Sequence, residues 1–498
     1  MKYSGFLTNL LILIVTLKAA TIPNEDNREN KIGSEEEVLE EDHWIEEDIN
    51  NNTLNQAATI PNEDSRENEI EGVWEEYKEL EEQWFEQYIN HLDVLDNSTF
   101  YQRYFEENTY FKPGGPLLLE IGGEGAITAD SVRDGPSYKL AKKLHGKVVL
   151  LEHRYYGKSS PFENFTSEYM YYLNVEQALE DLAYFIQTIK RTTPGLEHSK
   201  VGVFGCSYPG SLATWFRYKF PHLADAAWAS SAPLRAVADF QEYLEVASAV
   251  YANVSSLCVD TIRKGYDETK KLLSTPEGKE KVRTKLENWG CGNITDMEPN
   301  DILGYIRYVV ADHNVPPNHG IESCRILANE TVRTSPLERL VEFLLHQSVS
   351  VCSGYETDFP NDGLAWNYQT CTEFGYTVTT TSSKQPFNDS RKGVEEDVET
   401  CIENFGEKFN MEALQRGIER INRVYGSVNL KVTKVLSVHG ELDPWYKLGL
   451  YEQNNEEAPV IFIPGTSHCA AHIESEDEPI ALTKARNKAE KIMMKWLQ

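Results

Sequence analysis

Three residues of this chain stand where nucleophilic catalysis needs a hydroxyl, an acid and an imidazole: Ser207, Asp443 and His468. Ser207 lies in Val201-Gly202-Val203-Phe204-Gly205-Cys206-Ser207-Tyr208-Pro209-Gly210, an apolar run that breaks at Gly-x-Ser and passes into the helical pattern of Ser211 to Phe216. A strand ending in so tight a turn lifts a serine hydroxyl above the edge of a sheet. The usual pattern has a second glycine two residues after the serine. Here Pro209 takes that place and the glycine comes one later, so the motif alone also fits a plain strand-to-helix turn. Company downstream decides between the two. Asp443 follows the apolar run Val435 to Val438, and His468 follows Pro459 to Ile463. A serine hydroxyl is a poor nucleophile until an imidazole takes its proton, and the imidazole serves only when a carboxylate fixes its tautomer and stabilises its cation. Among rivals, His439 precedes the acid, His472 lies a turn too far along, and Glu441 is the other carboxylate of its segment. The chemistry requires no cofactor and no metal.

The elements around these residues must present all three at strand ends. Pro116 to Ile121 is a continuous apolar run that leads into Gly122-Gly123-Glu124-Gly125, and Val148 to Glu152 is a second such run. A glycine loop leaving a central strand exposes backbone N–H groups, so Gly123 of this loop and Tyr208 after the serine are the candidate oxyanion donors. Asn174 to Lys190 has helical spacing, and Ala226 to Ser231 is a further strand. This alternation predicts an α/β fold with a mostly parallel sheet wrapped by helices, its crevice at the carboxyl ends of the strands. An acid after one late strand and a histidine after the next give the chain order of an α/β-hydrolase. The core then comprises residues 81–234 and 431–498. Between them, 235–430 reads as a helical insertion capping the site and carries Cys258, Cys291, Cys324, Cys352, Cys371 and Cys401. An even cysteine count in a secreted insertion predicts disulfides, but six cysteines admit fifteen pairings and spacing does not choose among them.

The 498 residues carry a net charge of −31, concentrated at the start: residues 21–90 hold 23 Asp/Glu against 4 Lys/Arg. Such a surface repels phosphate backbones and excludes nucleic acid as a partner. Residues 1–20 have Lys2, the apolar run Leu10 to Val15 and small residues at Ala19 and Ala20, the layout of a secretory signal. No later stretch approaches 18 uncharged apolar residues, so no membrane span is expected. Residues 21–80 are acidic and hold a near-repeat, Ala19 to Asn30 returning as Ala57 to Asn68, which reads as a disordered leader or a propeptide. Asn-x-Ser/Thr sites at Asn51, Asn97, Asn164, Asn253, Asn293, Asn329 and Asn388 are compatible with glycosylation on a secretory or lysosomal route.

Gln102-Arg103-Tyr104, Gly122 to Gly125, Glu152-His153-Arg154-Tyr155-Tyr156-Gly157-Lys158-Ser159, Ser207-Tyr208, Ser230 to Pro233, Cys371 to Phe374, Asp443-Pro444-Trp445 and Ser467-His468-Cys469 together resemble the lysosomal Pro-X carboxypeptidase and dipeptidyl peptidase II family. Lys219 to Leu223 and Gln369 to Gly375 look most like its thymus-specific serine protease branch. The resemblance covers roughly residues 82–498. It implies a hydrolase core with a helical insertion, and a serine exopeptidase acting after proline at acidic pH, either from the C-terminus or by removing N-terminal dipeptides. It further implies a proline pocket around Ser211, Tyr376 and Trp445, whose hydroxyls would make it more polar than a purely apolar one, and the pairings Cys258–Cys324, Cys291–Cys352 and Cys371–Cys401. Peptides are the expected substrates, and a homodimer is compatible with the sequence. The competing readings are a serine esterase or lipase and a hydrolase-fold binding protein without catalysis.

Two departures from that family adjoin the triad: Cys206 stands where glycine is common, and His439 where asparagine is. The folding that brings Ser207 to His468 also brings Cys206 and Cys469 into one neighbourhood. Neighbours of two facing side chains usually point away from each other, so two buried free thiols are expected there rather than a bond.

Overall fold

The computed structural model describes residues 79–286, 297–316, 318–331, 333–352, 359–387, 389, 393–451, 456–473 and 478–498. The signal segment, nearly all of the leader, the Asn51, Asn293 and Asn388 sites, and the Cys291–Cys352 pair fall outside the described residues or side chains. The first described strands are β1 (Gln83–Tyr88) and β2 (Thr99–Glu107), which pair antiparallel at one edge of the sheet. Along β2 exposed or half-buried residues alternate with buried ones over most of its length, as in a strand with one face on the core.

The apolar runs become β3 (Leu117–Ile121), β4 (Lys147–Leu151), β5 (Val201–Cys206) and β6 (Ala226–Ser230). β3, β4 and β6 are buried along their whole length, as strands must be when helices cover both faces of a parallel sheet. Leaving the small pair β7 (Val237–Asp239) and β8 (Gly375–Thr377) to the insertion, the sheet is completed by β9 (Val435–Gly440) and β10 (Val460–Ile463) in the order β1-β2-β4-β3-β5-β6-β9-β10. From β4 to β10 every pairing is parallel. Helices α1 (Pro136–Leu144), α2 (Val175–Thr192), α3 (Tyr208–Lys219) and α4 (Ile480–Leu497) pack on the sheet. The period of two sends Val201 and Val203 to the face covered by α2 and α3, through Leu179, Ile186, Leu212 and Trp215. Phe204 and Trp228 go to the opposite face, against Leu140, Met493 and Leu497 of α1 and α4.

Chain order reverses where β3 lies between β4 and β5. The loops after β3 and β5 therefore face each other across a crevice at the carboxyl end of the sheet, where such folds hold ligands. That switch point brings the Gly122–Gly125 loop to Ser207, and a Cβ on Gly123 would lie 2.9 Å from Pro209 Cγ.

Several motif residues hold the crevice rather than line it. Arg154 is fully buried and grips Asp181 of α2 through Nε and Nη2, at 2.6 Å each, while donating to the carbonyls of Ile89 and Tyr88. Glu152 likewise accepts from Arg103 and, at 2.6 Å, from the Ser159 hydroxyl. Both buried charges are thus paired and hydrogen-bonded, the condition under which a buried charge is tolerated.

The described residues of 235–430 give no strand to the large sheet. They are mostly helical but also contain the parallel pair β7–β8, which periodicity did not reveal. Gly375 (φ +73) allows it, because a Cβ there would sit 2.4 Å from Val237 O. Disulfides join Cys258 to Cys324 and Cys371 to Cys401 within the insertion. The expectation of free thiols at Cys206 and Cys469 is overturned: they form a disulfide with Cα atoms 5.7 Å apart. Ser207 (φ +62) and Cys469 (φ +58) both have left-handed backbones, which break the alternation of side-chain direction on which that expectation rested. Asn97, Asn164 and Asn253 are exposed and Asn329 is partly so. No helix among the described residues is long and apolar enough to cross a membrane.

Candidate active site

β5 ends at Cys206, and Ser207 takes φ 62°, ψ −132° before α3 begins at Tyr208. A serine held in so sparsely populated a conformation is what a nucleophile elbow requires. Gly205 and Gly210 make it fit: a Cβ on Gly205 would come within 2.4 Å of the Pro209 backbone, and one on Gly210 within 2.8 Å of Ser230 O. Pro209 occupies the first turn of α3, where a missing N–H costs nothing. The displaced glycine is therefore compatible with the turn.

His468 Nδ1 lies 2.9 Å from Asp443 Oδ1, and both side chains are buried. With Nδ1–H donated to the carboxylate, Nε2 is left with its lone pair free to accept a proton. The same Oδ1 accepts from Trp445 N–H at 3.0 Å. Burial pushes the Asp443 carboxyl up, but the His468 charge and hydrogen bond, aided by the Ser231 hydroxyl, outweigh it and hold the acid below its usual range. The Cys206–Cys469 bond ties the residue before Ser207 to the residue after His468. Two of the rivals are engaged elsewhere. His472 pairs with Glu120 at 3.1 Å, and exposed Glu441 accepts from Gly465 N–H. His439 is buried against Gly449, whose missing side chain makes room for the larger ring.

Tyr208 is the first residue of α3, so its N–H has no acceptor within the helix. A self-consistent network fixes its side chain. His153 Nδ1 lies 2.7 Å from Arg154 O and must donate there. Nε2 then accepts from Tyr208 OH at 3.0 Å, which accepts from Gln369 Nε2 at 2.9 Å, while Gln369 Oε1 accepts from Tyr156 OH at 2.6 Å. Burial lowers the His153 imidazole to about 4, so it remains neutral as that pattern needs.

Trp445 stands between His468 and the insertion, with ring centroids 6.3 Å from His468 and 5.3 Å from Tyr376. Ser211 Oγ and Tyr376 OH both donate to Pro233 O, at 2.8 and 3.1 Å. Both hydroxyls are thus already engaged with the backbone of this chain, and both residues are buried. Sequence reasoning missed His313 of the insertion: its carbonyl accepts from His468 N–H at 3.0 Å and its ring meets His468 edge-on at 4.6 Å. Tyr243 OH anchors that ring at Nδ1, at 2.8 Å. It also missed Glu124, a part-buried carboxyl in the loop after β3; burial raises it to about 7, with the His468 charge opposing.

The family model for serine carboxypeptidase S28 matches residues 87–311 and 329–489. The thymus-specific serine protease of Mus musculus is 31% identical over 449 residues, 83% of this chain and 87% of that protein. The lysosomal Pro-X carboxypeptidase of Homo sapiens is 27% identical over 448 residues, covering 83% and 88%. An elbow serine beside a buried Asp–His pair, in a chain matched over most of its length by these relatives, identifies a serine-type peptidase that belongs to the serine carboxypeptidase S28 family.

Proposed function

We propose that this peptidase is an exopeptidase that cleaves after proline through an acyl-enzyme on Ser207. The Asp443–His468 hydrogen bond at 2.9 Å beside the elbow carries the reading. His468 Nε2 takes the Ser207 proton as the hydroxyl attacks the scissile carbonyl, then gives it to the leaving amine. Asp443 stabilises the imidazolium formed between those steps. The oxyanion is held by the N–H groups of Tyr208 and Gly123, a reading supported by the close packing of Gly123 on Pro209 of the elbow. Water, activated by the same imidazole, releases the acyl group. The exposed sequons at Asn97, Asn164 and Asn253, the signal pattern of residues 1–20 and a relative named for the lysosome support a secretory or lysosomal route, with residues 21–80 as an acidic leader or propeptide.

For the proline-binding surface, the part-exposed Trp445 ring, packed edge-on against buried Tyr376 with Ser211 buried nearby on the same Pro233 carbonyl, is proposed to take the flat pyrrolidine ring. Peptides with proline before the scissile bond are expected to show kcat/KM at least about tenfold above their leucine counterparts, the scale on which a shaped apolar pocket discriminates. Equal turnover of the two would overturn the assignment.

The loop that packs Gly123 on Pro209 of the elbow also carries Glu124, whose part-exposed carboxyl makes the carboxypeptidase mode the one to test first. With its carboxyl raised to about 7, Glu124 is protonated in an acidic compartment and can donate to a substrate's terminal carboxylate. Above that value it is ionised and repels the carboxylate. The KM of a blocked Xaa-Pro-Xaa acid should therefore rise as pH increases through about 7, and Glu124→Gln should flatten that rise. If the free-amine substrate H-Xaa-Pro-amide is turned over faster than the blocked acid at every pH, the enzyme removes dipeptides instead.

A further inference from the structure

The disulfide beside the triad places three soft ligand atoms together. Cys206 Sγ, Cys469 Sγ and a ring nitrogen of His468 all lie within 4.8 Å of one another. Ligand atoms around a tetrahedral Zn²⁺ with bonds of about 2.3 Å to sulfur and about 2.0 Å to nitrogen are about 3.4–3.8 Å apart, so once the S–S bond of about 2.0 Å is broken the two sulfurs separate by about 1.5–2 Å and the imidazole nitrogen moves in by about 1 Å or less to complete the set. The imidazole is already oriented for it. Asp443 holds Nδ1, leaving Nε2 as the ligating atom in the carboxylate–histidine–metal arrangement that fixes ligand geometry in zinc sites. Cys206 is partly exposed, which gives a reductant and an ion a way in.

We propose that Cys206, Cys469 and His468 form a latent site for a soft divalent cation, closed while the disulfide is intact and opened by reduction. A dithiol or phosphine supplies two electrons and two protons come from solvent, so the S–S bond becomes two thiols. Binding the cation then releases both protons as the thiolates and Nε2 take three coordination positions, leaving the fourth for water. The inhibition that follows rests on the reading of His468 as the catalytic base, because the lone pair given to the metal is the one that would accept the Ser207 proton. The bond is thus a gate as well as a staple: oxidised enzyme ignores Zn²⁺, and reduced enzyme is arrested by it.

The test uses the full-length enzyme, reduced with a phosphine under non-denaturing conditions, freed of reductant and titrated with Zn²⁺, and in parallel with Co²⁺ as a spectroscopic probe. Expected are one tightly held ion per chain, sulfur-to-cobalt charge-transfer bands, and an activity loss of about tenfold or more that a chelator reverses. Oxidised enzyme should bind none at this site, and so should a reduced C206S/C469S variant, which keeps the insertion's thiols as an internal control. Should that variant not fold, protection of Cys206 and Cys469 from alkylation by Cd²⁺ in the wild-type protein, mapped by mass, gives the same answer. No metal uptake dependent on reduction, or uptake with both cysteines still alkylated at the metal-free rate, overturns the site. Bound metal with full activity would leave the site standing and sink the reading of His468 as the base.

Discussion

Replacing Ser207 by alanine is expected to lower kcat by about 10³-fold or more while leaving the fold intact, since a triad without its nucleophile keeps only what the oxyanion donors and substrate binding contribute. The fold should tolerate the change because Ser207 is held through its backbone: its N–H donates to Ser230 O at 2.9 Å, and its carbonyl accepts from Ser211 N–H at 3.1 Å. Its side chain has no structural partner in the elbow to lose. KM should move little, and labelling by a fluorophosphonate should disappear. The result that sinks the assignment is peptidase activity within tenfold of wild type in a preparation free of contaminating enzyme. Labelling of wild type also excludes a hydrolase-fold binding protein without catalysis, and turnover of peptides over acyl esters separates a peptidase from a lipase.

Much of this site was legible in the chain because it depends on local patterns. Continuous apolar runs announced β3 and β4, since a strand covered on both faces has no polar side to show. Asn174 marked the start of α2, where its side chain accepts from Gln177 N–H. The order serine, acid, histidine at successive strand ends required only that alternating elements be counted. What stayed hidden depends on direction or on distant contact. The Cys206–Cys469 bond turns on two positive φ values that no residue type announces, for neither Ser207 nor Cys469 is a residue that favours that region. The His153–Tyr208–Gln369 network joins residues up to 216 apart in sequence and became visible only when the insertion was placed on the core. His313 had no pattern around it. Its role against His468 comes wholly from where the insertion lands.

Converting Asp443 to asparagine should be as damaging as losing the nucleophile, about 10⁴-fold in kcat by analogy with serine proteases, although it removes a single charge and keeps the shape. In the wild type one carboxylate oxygen accepts from both His468 Nδ1–H at 2.9 Å and Trp445 N–H at 3.0 Å. An amide oxygen in that place could accept from both, but it carries no charge to stabilise the imidazolium. In the flipped amide the NH₂ group faces Nδ1, which must then accept, and the imidazole's proton moves to Nε2, the atom that should receive the Ser207 proton. Reagents that need an activated serine should therefore label the D443N enzyme far more slowly, while KM stays near wild type. Stability shifts in a direction that separates this from unfolding. Because the folded state holds Asp443 below its usual value, its ionised form contributes stability that is fully present above about 3.8 and is lost as pH falls through the lower folded value. The D443N protein should lack that acid-dependent contribution, so its melting temperature should depend less on pH at the acid end than wild type. A kcat within tenfold of wild type, in protein whose near-ultraviolet dichroism matches it, would show that another group orients His468.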